Sequence, residues 1–96
     1  MPFEWDKNKR LSNLAKHGID FRDAERFFKT EPLCFEDCRQ DYNEKRFIAF
    51  GKIEERLIIT VYTLRKDNIR IISMRKANAR ERRLYEQYIQ NRLEKG

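Results

Sequence analysis

Arginine is the residue type that most sets the chemical options of this chain. Between positions 65 and 83 stand eight cations (Arg65, Lys66, Arg70, Arg75, Lys76, Arg80, Arg82 and Arg83) against two acids, Asp67 and Glu81. Six of the eight are arginines, whose planar fork spans two oxygens of a phosphate or carboxylate and stays charged at any working pH. Such a density attracts a polyanion at low salt. A nucleic acid fits directly, and an acidic protein could use the same surface. The plain alternative is a solvated face that only keeps the chain in solution, but the bias toward arginine argues against it.

Other reactive types are sparse. His17 is the sole histidine. It sits at the end of a helical pattern, where a cation interacts favourably with the helix dipole, so capping and packing is favoured over catalysis. Cys34 and Cys38 fall in an extended stretch, roughly 13 Å apart, too far for a disulfide and too few for zinc. Reduced, partly buried thiols are expected, with no metal and no cofactor.

The elements that position these groups belong to a short chain. Ninety-six residues with a net charge of +6 make one small domain over 1–96. Residues 1–44 carry 8 basic and 10 acidic side chains, and residues 45–96 carry 14 and 6, so the positive charge lies in the second half. A content of 12% aromatic residues is too high for a disordered basic tail. There is no apolar run of membrane-spanning length and no secretory signal pattern. A cytoplasmic protein is expected.

Hydrophobic spacing gives the order α-α-β-β-β-β-α. Asp6 caps a first helix to about Lys16, with Trp5, Leu11, Leu14 and Ala15 as its apolar stripe and Gly18 as its left-handed stop. Asp20 opens a second helix that faces Phe21, Ala24, Phe27 and Phe28 to one core and ends before Pro32. Strands follow over Leu33–Cys38, Arg46–Lys52, Leu57–Leu64 and Ile69–Met74, with the polar stretch Arg39–Glu44 between the first two. Asn78 and Glu81 form a capping box for the last helix, whose apolar face holds Leu84, Tyr85, Tyr88, Ile89 and Leu93. This is an α+β two-layer domain: two N-terminal helices, a four-stranded antiparallel sheet and a C-terminal helix.

The hairpin register decides which side chains share the open face. A two-residue turn at Asp67-Asn68 pairs Arg65 with Arg70 and Tyr62 with Ser73. Thr60, Tyr62, Ser73 and Arg75 then form the polar face, and Ile59, Val61, Ile72 and Met74 the core face. A three-residue turn groups Thr63, Arg65, Ser73 and Arg75 instead. Ser73 and Arg75 stay together in both.

Several stretches together resemble the BrnT-type toxins. They are Phe3-Glu4-Trp5-Asp6, Asn13, Lys16-His17-Gly18, Phe27-Phe28, Arg46, Gly51, Val61-Tyr62-Thr63-Leu64-Arg65, the run Ile69–Ala77, and Arg80-Glu81-Arg82 with Tyr85. The resemblance covers nearly the whole chain. It implies a RelE/ParE-like fold and a ribonuclease toxin of a type II toxin–antitoxin pair that blocks translation. It also implies a ribbon-helix-helix antitoxin that forms a hetero-oligomer with the toxin and binds promoter DNA, with no membrane partner.

Metal-free RNA cleavage requires stabilisation of extra negative charge on phosphorus and proton transfers at two oxygens. Arg65 and Arg75 are the first catalytic candidates, followed by Arg70 and Arg46. Tyr62 is a further candidate as a hydrogen-bond donor or an activated phenol. Lys66 and Lys76 are possible acids and Glu81 a possible base. RNA contacts are expected from Arg46, Lys66, Ser73, Lys76, Arg80 and Arg83. The competing readings are a non-enzymatic interaction protein or a simple nucleic-acid-binding module on the same fold.

Overall fold

A computed structural model describes residues 2–39 and 43–95. Gln40, Asp41 and Tyr42 of the polar stretch, together with Met1 and Gly96, lie outside the described residues. A two-residue strand, β1 (Phe3–Glu4), precedes helix α1 (Lys7–His17). The Asp6 carboxylate accepts from the N–H groups of Asn8 and Lys9 at 2.8 and 3.0 Å, filling two of the donors a helix start leaves open. Gly18 ends the helix at φ 71°, and its N–H donates to the Leu14 carbonyl. Leu11, Leu14 and Ala15 are exposed, however, and the buried residue of α1 is Asn13. The expected apolar stripe is corrected to a polar anchor.

The second helix is shorter than expected. Asp20 caps it by accepting from the Arg22 N–H, but a 3₁₀ turn over Phe21–Asp23 leads into only five helical residues, α2 (Ala24–Phe28). Asp20 also receives the guanidinium groups of Arg22 and of Arg10 from α1. Burial works against ionisation of this carboxyl, but the Arg22 backbone and side-chain bonds and the Arg10 contact outweigh it, lowering its pKa from 3.8 to about 2. A carboxyl depressed in the folded state stabilises above its ordinary value and stops doing so as pH falls through the folded one. Acid titration from pH 5 to 2 should therefore remove on the order of 1–2 kcal/mol that depends on Asp20. Asp20→Asn should flatten that part of the stability–pH curve, and an unchanged curve would refute the assignment.

Strands β2 (Leu33–Glu36), β3 (Arg46–Ile53), β4 (Arg56–Arg65) and β5 (Asn68–Lys76) lead to helix α3 (Ala79–Lys95). Five strands, not four, stand in the order β1-β5-β4-β3-β2. The added strand pairs parallel to β5, Phe3 with Ile69 and Glu4 with Arg70, so the sheet is not wholly antiparallel. Two residues are too few to show a period in sequence. The β3–β4 turn places Glu54 and Glu55 at φ 51° and 68°, as a two-residue hairpin loop of the right twist requires.

Register alternation separates two faces. On one, Ala49, Ile58, Tyr62, Ile71 and Met74 pack with Phe21, Ala24 and Phe27 from the α2 region to form the main core. The other carries Leu57 and Ile59 with Ile48, Phe50 and the Tyr85 ring of α3. The helices thus occupy both sides of the sheet, correcting the two-layer expectation. α3 rests on one end through Tyr85, while Leu84, Tyr88 and Leu93 are 55%, 43% and 72% exposed.

Gly51 marks the closest approach of the chain to this sheet. A Cβ there would stand 2.9 Å from Thr30 Oγ1 and 3.1 Å from both the Phe27 ring and Pro32. The Thr30 hydroxyl is held by donating to the Phe27 carbonyl at 2.7 Å, so it cannot simply swing aside. Gly51→Ala should cost about 1–3 kcal/mol by overpacking. The check is a lower urea midpoint at unchanged m.

Cys34 and Cys38 are both free and exposed, not partly buried. The first lies on the edge strand β2 and the second just beyond its end. Among the described residues, no helix is long and apolar enough to cross a membrane.

Candidate nucleic-acid interface

The β4–β5 hairpin turns at Lys66-Asp67, pairing Arg65 with Asn68, one step earlier than the Asp67-Asn68 turn. The Asn68 amide is held in place by donating to the Glu4 carboxylate at 3.0 Å. A bulge at Val61/Tyr62 leaves Ile72 as an extra residue, after which Val61 faces Ser73 and Ile59 faces Arg75. Thr63 faces both Arg46 and Arg70. Arg46, Thr63, Arg65, Arg70, Ser73 and Arg75 therefore share one face, beside the end covered by α3. The grouping Thr63, Arg65, Ser73 and Arg75 is the one a three-residue turn would give, reached here through a two-residue turn and a bulge.

Tyr62 is not part of that face. It is 7% exposed, stacked on Phe47 with ring centroids 5.5 Å apart and edge-on to Phe28. Burial, with Cys34 beside the hydroxyl, pushes its pKa well above the usual phenol range. The phenol stays protonated and out of solvent, and its expected place on the polar face is corrected. Thr60, also expected there, is fully buried.

Arg75 is the best-held cation of the face. Both its terminal nitrogens donate to Glu81, each at 2.8 Å. The same carboxylate accepts from the Asn78 N–H at 2.9 Å, while the Asn78 side chain accepts from the Glu81 N–H at 2.8 Å. The capping box thus fixes Glu81, and Glu81 fixes the guanidinium. Arg75, at 34% side-chain exposure, still presents an edge to solvent. Hydrogen bonding to Arg75 holds the Glu81 carboxyl below its usual range, so it remains a charged anchor at neutral pH.

Other cations are paired more loosely. Arg65 lies 3.7 Å from Glu44 and Arg70 3.5 Å from Glu4, which leaves each guanidinium free to exchange its acid for a ligand. The backbone of Arg46 extends to the loop, its carbonyl accepting from the Asp37 N–H at 2.7 Å. Ser73 is half-buried. Lys66 sits exposed at the hairpin tip. Lys76 pairs with Ile58, and so alternates to the side opposite Arg75. Arg80 and Arg83 are exposed on α3. Arg83 lies two positions from both Glu81 and Tyr85, which turns it away from the sheet.

Arg39 joins the site without any signal in the sequence beyond its charge. It clasps the buried Asp37 through two bonds of 2.8 Å and lies close enough to Arg75 and Glu81 to act on both electrostatically. No period marks an arginine in an irregular stretch. Among the described residues, no three His, Cys, Asp or Glu side chains converge as metal ligands.

Arginines on a part-open sheet face, one of them fixed by a bidentate carboxylate, suit the binding of a charged phosphate ester. Among curated proteins none matches the chain. Residues 5–81 match the family model described as ribonuclease toxin, BrnT, of type II toxin–antitoxin system. With that match spanning most of its length, the chain belongs to the BrnT family of ribonuclease toxins.

Proposed function

We propose that the chain, as a single domain over 1–96, is a cytoplasmic endoribonuclease that cleaves messenger RNA without a metal and so stops translation. The observation that carries this reading is the Arg75–Glu81 pair, fixed by the capping box and flanked by Arg65 and Arg70 on the uncovered part of the sheet. In this reading the 2′-hydroxyl attacks the adjacent phosphorus, the 5′-oxygen of the next nucleotide leaves, and Arg75 stabilises the negative charge that builds on phosphorus. Arg65 and Arg70 exchange their glutamates for flanking phosphates, and Arg46 and Ser73 extend the contacts. Lys66 at the hairpin tip and Arg80 on α3 reach more distant phosphates.

The family places the chain in a toxin–antitoxin pair, and we propose that the antitoxin is of ribbon-helix-helix type. It silences the toxin by covering the arginine face and carries the complex to promoter DNA. The test is incubation of purified toxin with single-stranded RNA in the presence of a chelator. Fragments ending in 2′,3′-cyclic phosphate are expected. Intact RNA at micromolar protein, or cleavage abolished by the chelator, would overturn the metal-free reading, and salt-sensitive binding without cleavage would favour a binding module.

A further inference from the structure

The positive charge of the arginine face is largely compensated, because Arg65, Arg70 and Arg75 each carry a glutamate partner. Uncompensated charge lies around the corner. A shallow groove of about 220 Å³ runs between α1 and β5, several times the roughly 30 Å³ that a liquid water occupies. Lys9, Ser12, Lys16 and His17 line it from the helix, and Ile72 and Ser73 from the bulged strand.

Its construction follows from local rules. Steps of three and four residues put Lys9, Ser12, Asn13 and Lys16 on one side of α1. Asn13 is turned inward and held on the Met74 backbone, which sets that side of the helix against the strand. Among the described residues, Lys9, Lys16 and His17 make no ion pair. Arg10, on the next helical position, is by contrast occupied with Asp20 at 2.9 Å. Ser73 belongs to both places: it lines the groove and also stands two residues from Arg75 on the arginine face.

We propose that this groove is a second phosphate subsite, in which Lys9, Lys16 and His17 hold a backbone phosphate of the RNA strand whose neighbour lies on the arginine face. Ser12 and Ser73 donate hydroxyl hydrogens to its oxygens, and the bulge at Ile72 turns the strand edge toward the helix so that one RNA strand follows the corner. Lysine suits this place because a compact charge on a flexible stem needs no fixed partner geometry. The inference rests on the reading that the arginine face binds RNA.

The experiment measures binding of the full chain to a non-cleavable 2′-O-methyl RNA strand across a range of salt. Lys9→Ala/Lys16→Ala should weaken binding about tenfold near 0.1 M salt and reduce the salt slope by about 0.7–1.4, the value for one or two lost contacts on a single strand. Lys9→Arg/Lys16→Arg should keep both. Arg26→Ala/Lys29→Ala on α2 removes the same formal charge and should leave the slope unchanged. Equal losses from the α1 and α2 variants would reduce the effect to net charge and overturn the subsite. So would unchanged RNA binding by the α1 variant, including the case where it loses only an acidic polypeptide such as polyglutamate. Failure of the wild-type chain to bind the RNA at any salt would instead overturn the RNA reading itself.

Discussion

Arg75→Ala is expected to slow RNA cleavage by about 100- to 1,000-fold, the usual cost of removing one preorganised donor from a developing negative charge. The fold should survive. Arg75 is partly exposed, and Glu81 keeps its bond from the Asn78 N–H and its place at the start of α3. Arg75→Lys should recover little, because a lysine cannot reproduce two parallel bonds of 2.8 Å to Glu81 and so loses its fixed orientation. Glu81→Gln should lower the rate less, since an amide still caps the helix but holds Arg75 by one neutral bond. The measurement is single-turnover cleavage of one RNA, with the urea midpoint recorded in parallel. Cleavage by Arg75→Ala within about threefold of the wild type would remove Arg75 from the site.

The largest stability effect is expected at Asn13. Its side-chain amide donates to the carbonyls of Ile19 and Met74 at 3.0 and 2.8 Å, and its oxygen accepts from the Met74 N–H at 3.3 Å. β1 pairs with β5 only at Ile69 and Arg70, so the outer edge of β5 farther along has no neighbouring strand. The Asn13 amide supplies the missing rung there, and it ties α1 and the Gly18–Ile19 turn to the sheet in the same step. Ile19 is 4% and Met74 0% exposed, so water does not readily replace it.

Asn13→Ala leaves three backbone groups without partners, each worth about 1–3 kcal/mol when buried. Partial relaxation makes a total loss of about 3 kcal/mol the expectation, large against the 5–15 kcal/mol of a typical domain. Asn13→Asp should be no better, because it removes both donors and brings a charge into the core. Urea unfolding followed by tryptophan fluorescence checks this, and a loss below 1 kcal/mol would mean that the edge of β5 is satisfied in another way.

The two residues show where reading the chain succeeds and where it stops. Asn13 looks like an ordinary polar position on a helix whose stripe is Leu11 and Leu14, yet it is the buried one and the leucines are exposed. The reason is that α1 lies along a strand edge with open hydrogen-bonding groups, and that geometry selects an amide. Arg75 and Ser73 share a face in either register because residues two apart on a strand always do, so their association was legible. The membership of Tyr62 was not. It depended on a one-position shift of the turn and on the bulge at Ile72, both of which are settled across the sheet.

What the sequence determined by itself is local. Asp6, Gly18, Asp20, Asn78 and Glu81 mark helix ends because capping involves groups within three or four residues. Strand runs from β2 to β5 show in β-branched and aromatic content, and the excess of cations after residue 45 is a matter of counting. The tertiary structure alone decided the rest. It paired the two-residue β1 with β5, laid α3 on the face opposite α2, turned Tyr62 into the core, and brought Arg39 and Glu81 to Arg75. Each of these outcomes is a contact between segments far apart in sequence, whose energy is absent until the sheet exists. The arginine count therefore foretold an appetite for polyanions. The fold determined which arginines carry a glutamate partner and left Lys9 and Lys16, on a different element, without an acid.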